Sequence, residues 1–138
     1  MVKEMFQDIV RVFWFVQGFD ISRNFDLEVI KIEVPVRGDL ARQLGADPEL
    51  NEKGMGVSFL AQNAGKRSLT LNLKHPEGRE IFFRLVEQAD VVVENFRPGV
   101  MDRLGLGFEK LKEINPRLVY CAISNWVVPR KLSRQIIS

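Results

Sequence analysis

The chain has 138 residues, 46% of them hydrophobic and 28% charged, which is one domain's worth of ordinary globular composition with enough apolar surface for a real core. Its net charge of +2, with no basic stripe interleaved with aromatics, excludes a typical nucleic-acid binder. One cysteine excludes an internal disulfide and a cysteine-based metal site, and the lone histidine, His75, reads as a turn residue before Pro76.

Residues 1–18 come first. Met5, Phe6, Ile9, Phe13 and Val16 share one helical face, which Val10 and Trp14 widen, so the spacing predicts an amphipathic helix. Lys3, Glu4, Asp8 and Arg11 break any apolar run, which excludes a signal peptide or a spanning helix. Packing of this face on the domain is favoured over anchoring at a membrane surface. With no targeting signal, the expected compartment is the cytoplasm. Gly18 to Asp26 reads as a turn-rich connector.

Val29 to Val34 is a strand ended by Pro35 and Gly38. Residues 35–66 read as a long irregular region with a short helix near Asp39 to Leu44, the kind of connection that is usually functional or mobile. Leu69, Leu71 and Leu73 then alternate with Ser68, Thr70 and Asn72, the period of a strand with one better-buried face. Pro76 suits a first helical turn, and Ile81, Phe82, Leu85 and Val86 fall on one face of the helix that follows. Val91 to Val93 is a β-branched run suited to a strand covered on both faces, and Leu118 to Ile123 is similar. A shorter helix, about Phe108 to Ile114, joins them. Cys121, in mid-strand, reads as a buried and inert thiol.

Together Arg67 to Ser124 make a β-α-β-α-β unit, hence an α/β fold with a parallel sheet and ligands beyond the carboxyl ends of its strands. Lys74, then Asn95 and Arg97, then Ser124 and Asn125 follow the three strands, with Arg103 a little further along. Three cations and two amides on one edge describe an anion-binding edge. Lys66 and Arg67 enter a strand at its amino end and point away from that edge. Asp90 reads as a turn former and Asp102 as a local ion pair or cap, so neither is a nucleophile.

At these residues the chain resembles the family III CoA-transferases (CaiB/BaiF; formyl-CoA and carnitine CoA-transferases). The matching motifs include Glu28-Val-Ile-Lys-Ile-Glu33, Gly38-Asp39 with Arg42, and Asn63-Ala-Gly-Lys-Arg-Ser-Leu-Thr-Leu-Asn-Leu-Lys74. Pro76-Glu-Gly-Arg79, Ala89-Asp-Val-Val-Val-Glu-Asn-Phe-Arg-Pro-Gly99, Arg103-Leu-Gly-Leu-Gly107 and Asn115-Pro-Arg-Leu-Val-Tyr-Cys-Ala-Ile-Ser124 follow in order. The resemblance implies a Rossmann-like large domain over 27–124, here incomplete, between a divergent segment 1–26 and a divergent tail 125–138. It implies coenzyme A or its acyl thioester as substrate, with no permanently bound cofactor and no metal. Leu71, Asn72, Leu73, Lys74, Asn95, Phe96, Arg97 and Arg103 match residues that line the coenzyme. It also implies transfer to a carboxylic acid through acyl-aspartyl and aspartyl-CoA intermediates, in an interlocked homodimer.

Three departures accompany the match. Residues 1–26 lack the family's opening strand and turn, and Val34 stands where an arginine usually meets the coenzyme. After Ser124 the family continues Gly-Phe-Gly-Gln towards its aspartate, whereas this chain reads Asn125-Trp-Val-Val-Pro and has no counterpart of the nucleophile, leaving no catalytic residue. The alternatives are a fragment of an α-methylacyl-CoA racemase-like enzyme, or a non-catalytic module that dimerises through its apolar segments.

Overall fold

The computed structural model describes residues 10–14 and 27–123. The expected connector at Gly18 to Asp26, the tail from Ser124 onward, and Met5, Phe6, Ile9 and Val16 lie outside these residues.

Five strands form one sheet: β1 (Val10–Trp14), β2 (Leu27–Glu33), β3 (Arg67–Thr70), β4 (Val91–Glu94) and β5 (Val119–Ala122). Their order is β3-β2-β1-β4-β5 and every neighbouring pair is parallel. This is the doubly wound order, whose direction reverses beside β1 and leaves a crevice at the carboxyl ends there.

The central strand corrects the helical reading of the first residues. Val10–Trp14 pairs with Leu27–Lys31 on one side, and its Val12–Trp14 portion pairs with Val91–Val93 on the other. Its β-branched and aromatic residues suit a strand as well as they suit a helical face. What decides between them is that the amides and carbonyls of β2 and β4 need partners on the sides that β1 fills.

Two other expectations are corrected nearby. The strand expected through Leu73 stops at Thr70, and the amide of Leu71 makes a last bond to Glu33 O at 3.0 Å before the chain turns away. Residues 35–66 are more regular than expected. A 3-10 turn (Leu40–Gln43) matches the short helix expected near Asp39 to Leu44, and α1 (Pro48–Glu52) and α2 (Val57–Asn63) lie there as well, with Asp39 capping the turn and Asp47 capping α1.

Past β3 come α3 (Pro76–Val86), the one-turn α4 (Val100–Arg103) and α5 (Phe108–Ile114), the last matching its expected span. The helices cover one sheet face, where Ile32, Phe82, Val86, Val92, Leu106, Leu111 and Leu118 build the main core. Phe82 and Val86 are fully buried, but Ile81 lies at the rim of the helix and is exposed. Asn115 ties this layer together by donating to the carbonyls of Val86 and Ala89 at 3.0 and 2.7 Å.

Among the described residues β5 is an edge strand, which is why the burial expected of it is not found. Val119, Cys121 and Ala122 are exposed, and only Tyr120 on its inner side is half-buried, edge-on to Phe108 at 5.9 Å. Cys121 is therefore an exposed thiol, although partial burial and the Glu94 carboxylate still push its pKa up.

The opposite face has a polar solution. The alternating side chains Val29, Lys31 and Glu33 of β2 are all buried there, and residues 38–42 fold back over them. Among the described residues no helix is long and apolar enough to cross a membrane, and no group of three or more His, Cys, Asp or Glu could hold a metal ion.

Candidate functional site

The carboxyl edge of the sheet opens into a cleft of about 680 Å³. It is built where β2 runs out into Val34 and Pro35, where the chain turns after β3, and where β4 passes into α4. Leu71, Asn72, Leu73, Lys74, Asn95 and Phe96 all line it, so the structure brings six of the eight expected residues together. Arg97 and Arg103 are not in the lining. Both are exposed beside it, on the loop and short helix whose Phe96, Val100 and Leu104 are.

The turn into α4 needs Gly99, whose φ of 77° is left-handed. The Arg103 guanidinium folds back over this turn, since a Cβ on Gly99 would sit 3.2 Å from its Nη1. Lys74, Arg97 and Arg103 form no ion pair with any described residue. Arg67 differs in this respect, and Lys66 is tied to a carbonyl. Lys66 Nζ donates to Gln62 O at 2.6 Å, and Arg67 pairs with Glu28 at 2.5 Å at the amino end of β3. The positive charge of the edge thus rests on three cations that no carboxylate among the described residues pairs with.

Sequence reasoning missed the cleft's polar wall. Lys31, Glu33 and Asp39 line it, and all three are buried. Lys31 Nζ lies 2.5 Å from Asp39 Oδ2, while Asp39 Oδ1 accepts from the Ala41 amide at 2.8 Å. Glu33 is a hub. Arg42 donates to both its oxygens at 2.7 and 2.8 Å, Ser68 Oγ donates at 2.6 Å, and the Asp39 amide at 2.8 Å. Burial pushes the Glu33 carboxyl up, but those hydrogen bonds outweigh it and hold the pKa at about 2. The Arg42 guanidinium also lies 3.8 Å from the centre of the Phe59 ring, which fastens α2 to the same hub. A Cβ on Gly38, whose φ is 63°, would come within 2.9 Å of both Arg42 and Glu33. The available signal was the alternation Val29-Ile-Lys-Ile-Glu33, which puts two charges on one strand face just before a Gly-Asp turn.

Glu94 behaves in the opposite way. Burial pushes its pKa up, despite the Phe96 amide donating at 2.6 Å and the Tyr120 hydroxyl at 3.2 Å. It orients the Asn95–Phe96 turn. The same burial, with Glu94 beside it, raises Tyr120 well above the ordinary phenol range, so Tyr120 is a hydrogen-bond donor at any working pH.

Comparison with known proteins converges on one family. The profile of CoA-transferase family III matches residues 27–129. This chain belongs to that family. Over 109 residues it is 46% identical to an acetyl-CoA:oxalate CoA-transferase of Acetobacter aceti, covering 79% of this chain and 27% of that protein. Over 103 residues it is 40% identical to the beta subunit of a succinyl-CoA–L-malate CoA-transferase of Chloroflexus aurantiacus, covering 75% and 25%. Among solved structures, a CaiB/BaiF family protein from Brucella suis superimposes with a TM-score of 0.76 at 38% identity, covering 88% of this chain and 34% of that one. The chain spans about a quarter of the length of the curated CoA-transferases it matches.

Proposed function

We propose that this chain binds coenzyme A thioesters along the carboxyl edge of its sheet, as the coenzyme-binding part of an enzyme that moves CoA between carboxylic acids. The observation that carries this reading is the meeting of Leu71–Lys74 with Asn95 and Phe96 in one cleft, bordered by three cations without carboxylate partners among the described residues. The cleft's volume falls within the range of small-molecule sites. Lys74, Arg97 and Arg103 would face the coenzyme's phosphates, Leu71, Leu73 and Phe96 its apolar parts.

The reaction needs a carboxylate nucleophile. It attacks the thioester carbonyl and expels the CoA thiolate, leaving a mixed anhydride. The thiolate then attacks the aspartyl carbonyl, releases the first acid and leaves an aspartyl-CoA thioester for the second acid. The buried carboxylates here are committed elsewhere: Glu33 to four donors, Asp39 to Lys31 and Ala41, Glu94 to Phe96 and Tyr120. None of these three carboxylates is assigned as that nucleophile. Isothermal titration of the 138-residue chain with CoA should show binding, and a mixture of formyl-CoA and oxalate, the substrates named for relatives in this family, should show no transfer. Lys74→Ala should weaken CoA binding about threefold to fivefold, more at low salt than at high. A folded sample that gives no heat with CoA removes the reading.

Association into a homodimer and a cytoplasmic location belong to the same proposal. Support for the dimer comes from Val34, Val36, Leu40, Leu44, Val57 and Leu60, large apolar residues left exposed between β2 and β3. Light scattering after size exclusion should give twice the chain mass at high concentration. A monomer at every concentration would rule the dimer out.

A further inference from the structure

The loop that carries Leu71 to Lys74 into the cleft leaves the sheet after the Leu71 amide, and from there the start of α3 holds it. The His75 amide donates to Asn72 O at 3.0 Å. Arg79 Nη1 donates to Lys74 O at 3.0 Å, with Leu73 O at 3.4 Å. Gly78 is buried against the Asn72 carbonyl so closely that a Cβ there would overlap it. Asn72 Oδ1 accepts the Lys74 amide at 3.2 Å.

Three successive carbonyls are thus engaged, that of Asn72 by the cap residue His75 and those of Leu73 and Lys74 by Arg79 of α3. In a planar trans peptide the carbonyl and the following N–H point in opposite directions. Holding the Asn72 carbonyl on α3 therefore turns the Leu73 N–H away from the helix, and that amide meets no acceptor among the described residues. We propose that Arg79, seated by Gly78, is a positioning residue for the ligand loop: it holds the loop's carbonyls on α3 so that the Leu73 amide and the Lys74 ammonium can meet one anionic group of the ligand. The inference rests on the coenzyme A reading for the identity of that ligand. Among the described residues the Arg79 guanidinium hydrogen-bonds only to the loop's carbonyls.

The test is a titration of the full chain with CoA in native, Arg79→Met and Arg79→Lys forms, each combined with Lys74→Ala or Arg97→Ala. Arg79→Met should weaken CoA binding about tenfold, the scale of a lost charge-assisted hydrogen bond. Lys74→Ala should then cost nothing further, because Lys74 is already misplaced. Arg97→Ala, on a different loop, should cost the same factor in both backgrounds, and Arg79→Lys should recover part of the loss. General loosening of the fold would change both factors alike. Equal costs of Lys74→Ala with and without Arg79, or native affinity in Arg79→Met, overturns the proposal.

Amide hydrogen exchange on the ligand-free chain separates the two readings. Arg79→Met should speed exchange at Lys74 and His75 by about tenfold or more while Phe82 to Val86 keep their protection. If the native chain takes no CoA but this exchange pattern appears, the ligand is wrong and the positioning stands. If exchange at Lys74 and His75 is unchanged, the positioning is wrong.

Discussion

Replacing Lys31 by Met should destabilise the fold by about 3–5 kcal/mol, the scale on which one half of a buried ion pair is missed. Lys31 and Asp39 meet at 2.5 Å with side chains only 4% and 3% exposed. Methionine fills a similar volume on the strand but leaves the Asp39 carboxylate buried beside it without that cation. The Ala41 amide still reaches Asp39 Oδ1, so the cap of the 3-10 turn survives while the other oxygen loses its charge partner. Adding Asp39→Asn removes the buried charge, and the double variant should be more stable than Lys31→Met alone. Urea unfolding followed by circular dichroism measures all three. A single variant within about 1 kcal/mol of native would mean that water solvates Asp39 in the open cleft and that the pair contributes little.

Acid should remove a second contribution of similar size. Glu33 has its pKa depressed from 4.5 to about 2, so its stabilisation is fully present above pH 4.5 and is lost as the pH falls through 2. A shift of that size corresponds to about 3 kcal/mol. Glu33→Gln loses the charge interaction with Arg42 at neutral pH, so its stability should start lower and change little across this window. The native and variant curves should converge near pH 2. Glu94 contributes with the opposite sign, because burial raises its pKa: its stabilisation is present in acid and is lost as the pH rises through that raised value. Measuring both curves in a Glu94→Gln background isolates the Glu33 limb. An acid limb that Glu33→Gln leaves unchanged would assign it to other carboxylates.

Both predictions concern the end of β2 and the turn folded over it, which the sequence marked by Pro35 and Gly38, a short helix expected near Asp39 to Leu44, and the motif of Gly38-Asp39 with Arg42. Residue types suggested a turn there and could not say that Arg42 returns nine positions to grip Glu33 from both sides, or that Ser68 arrives across the sheet to join it. The ligand edge was easier to find. In a parallel sheet the carboxyl ends share one side, so Lys74 and Asn95 could be grouped from their places after strands, and the structure does gather them. Arg97 and Arg103 had the same argument and came only to the rim, because the backbone turns at Gly99 and α4 begins between them.

By itself, the sequence determined the parallel α/β class, the positions of β2, β4 and α5, and the family to which the chain belongs. These depend on local periodicity, on proline and glycine punctuation, and on motif order, all of which are written along the chain. Only the tertiary structure decided that Val10–Trp14 is the central strand, that β3 stops at Thr70, that Cys121 is exposed on an edge, and that Lys31, Glu33 and Asp39 form a buried polar wall of the cleft. Each of those outcomes depends on which segment lies alongside: two ladders in need of a middle strand, a loop held by α3, an outer strand with one neighbour, and a turn folded over charged side chains. Hydrogen-bond partners and desolvation are set by neighbours distant in sequence, and no window of residues contains them.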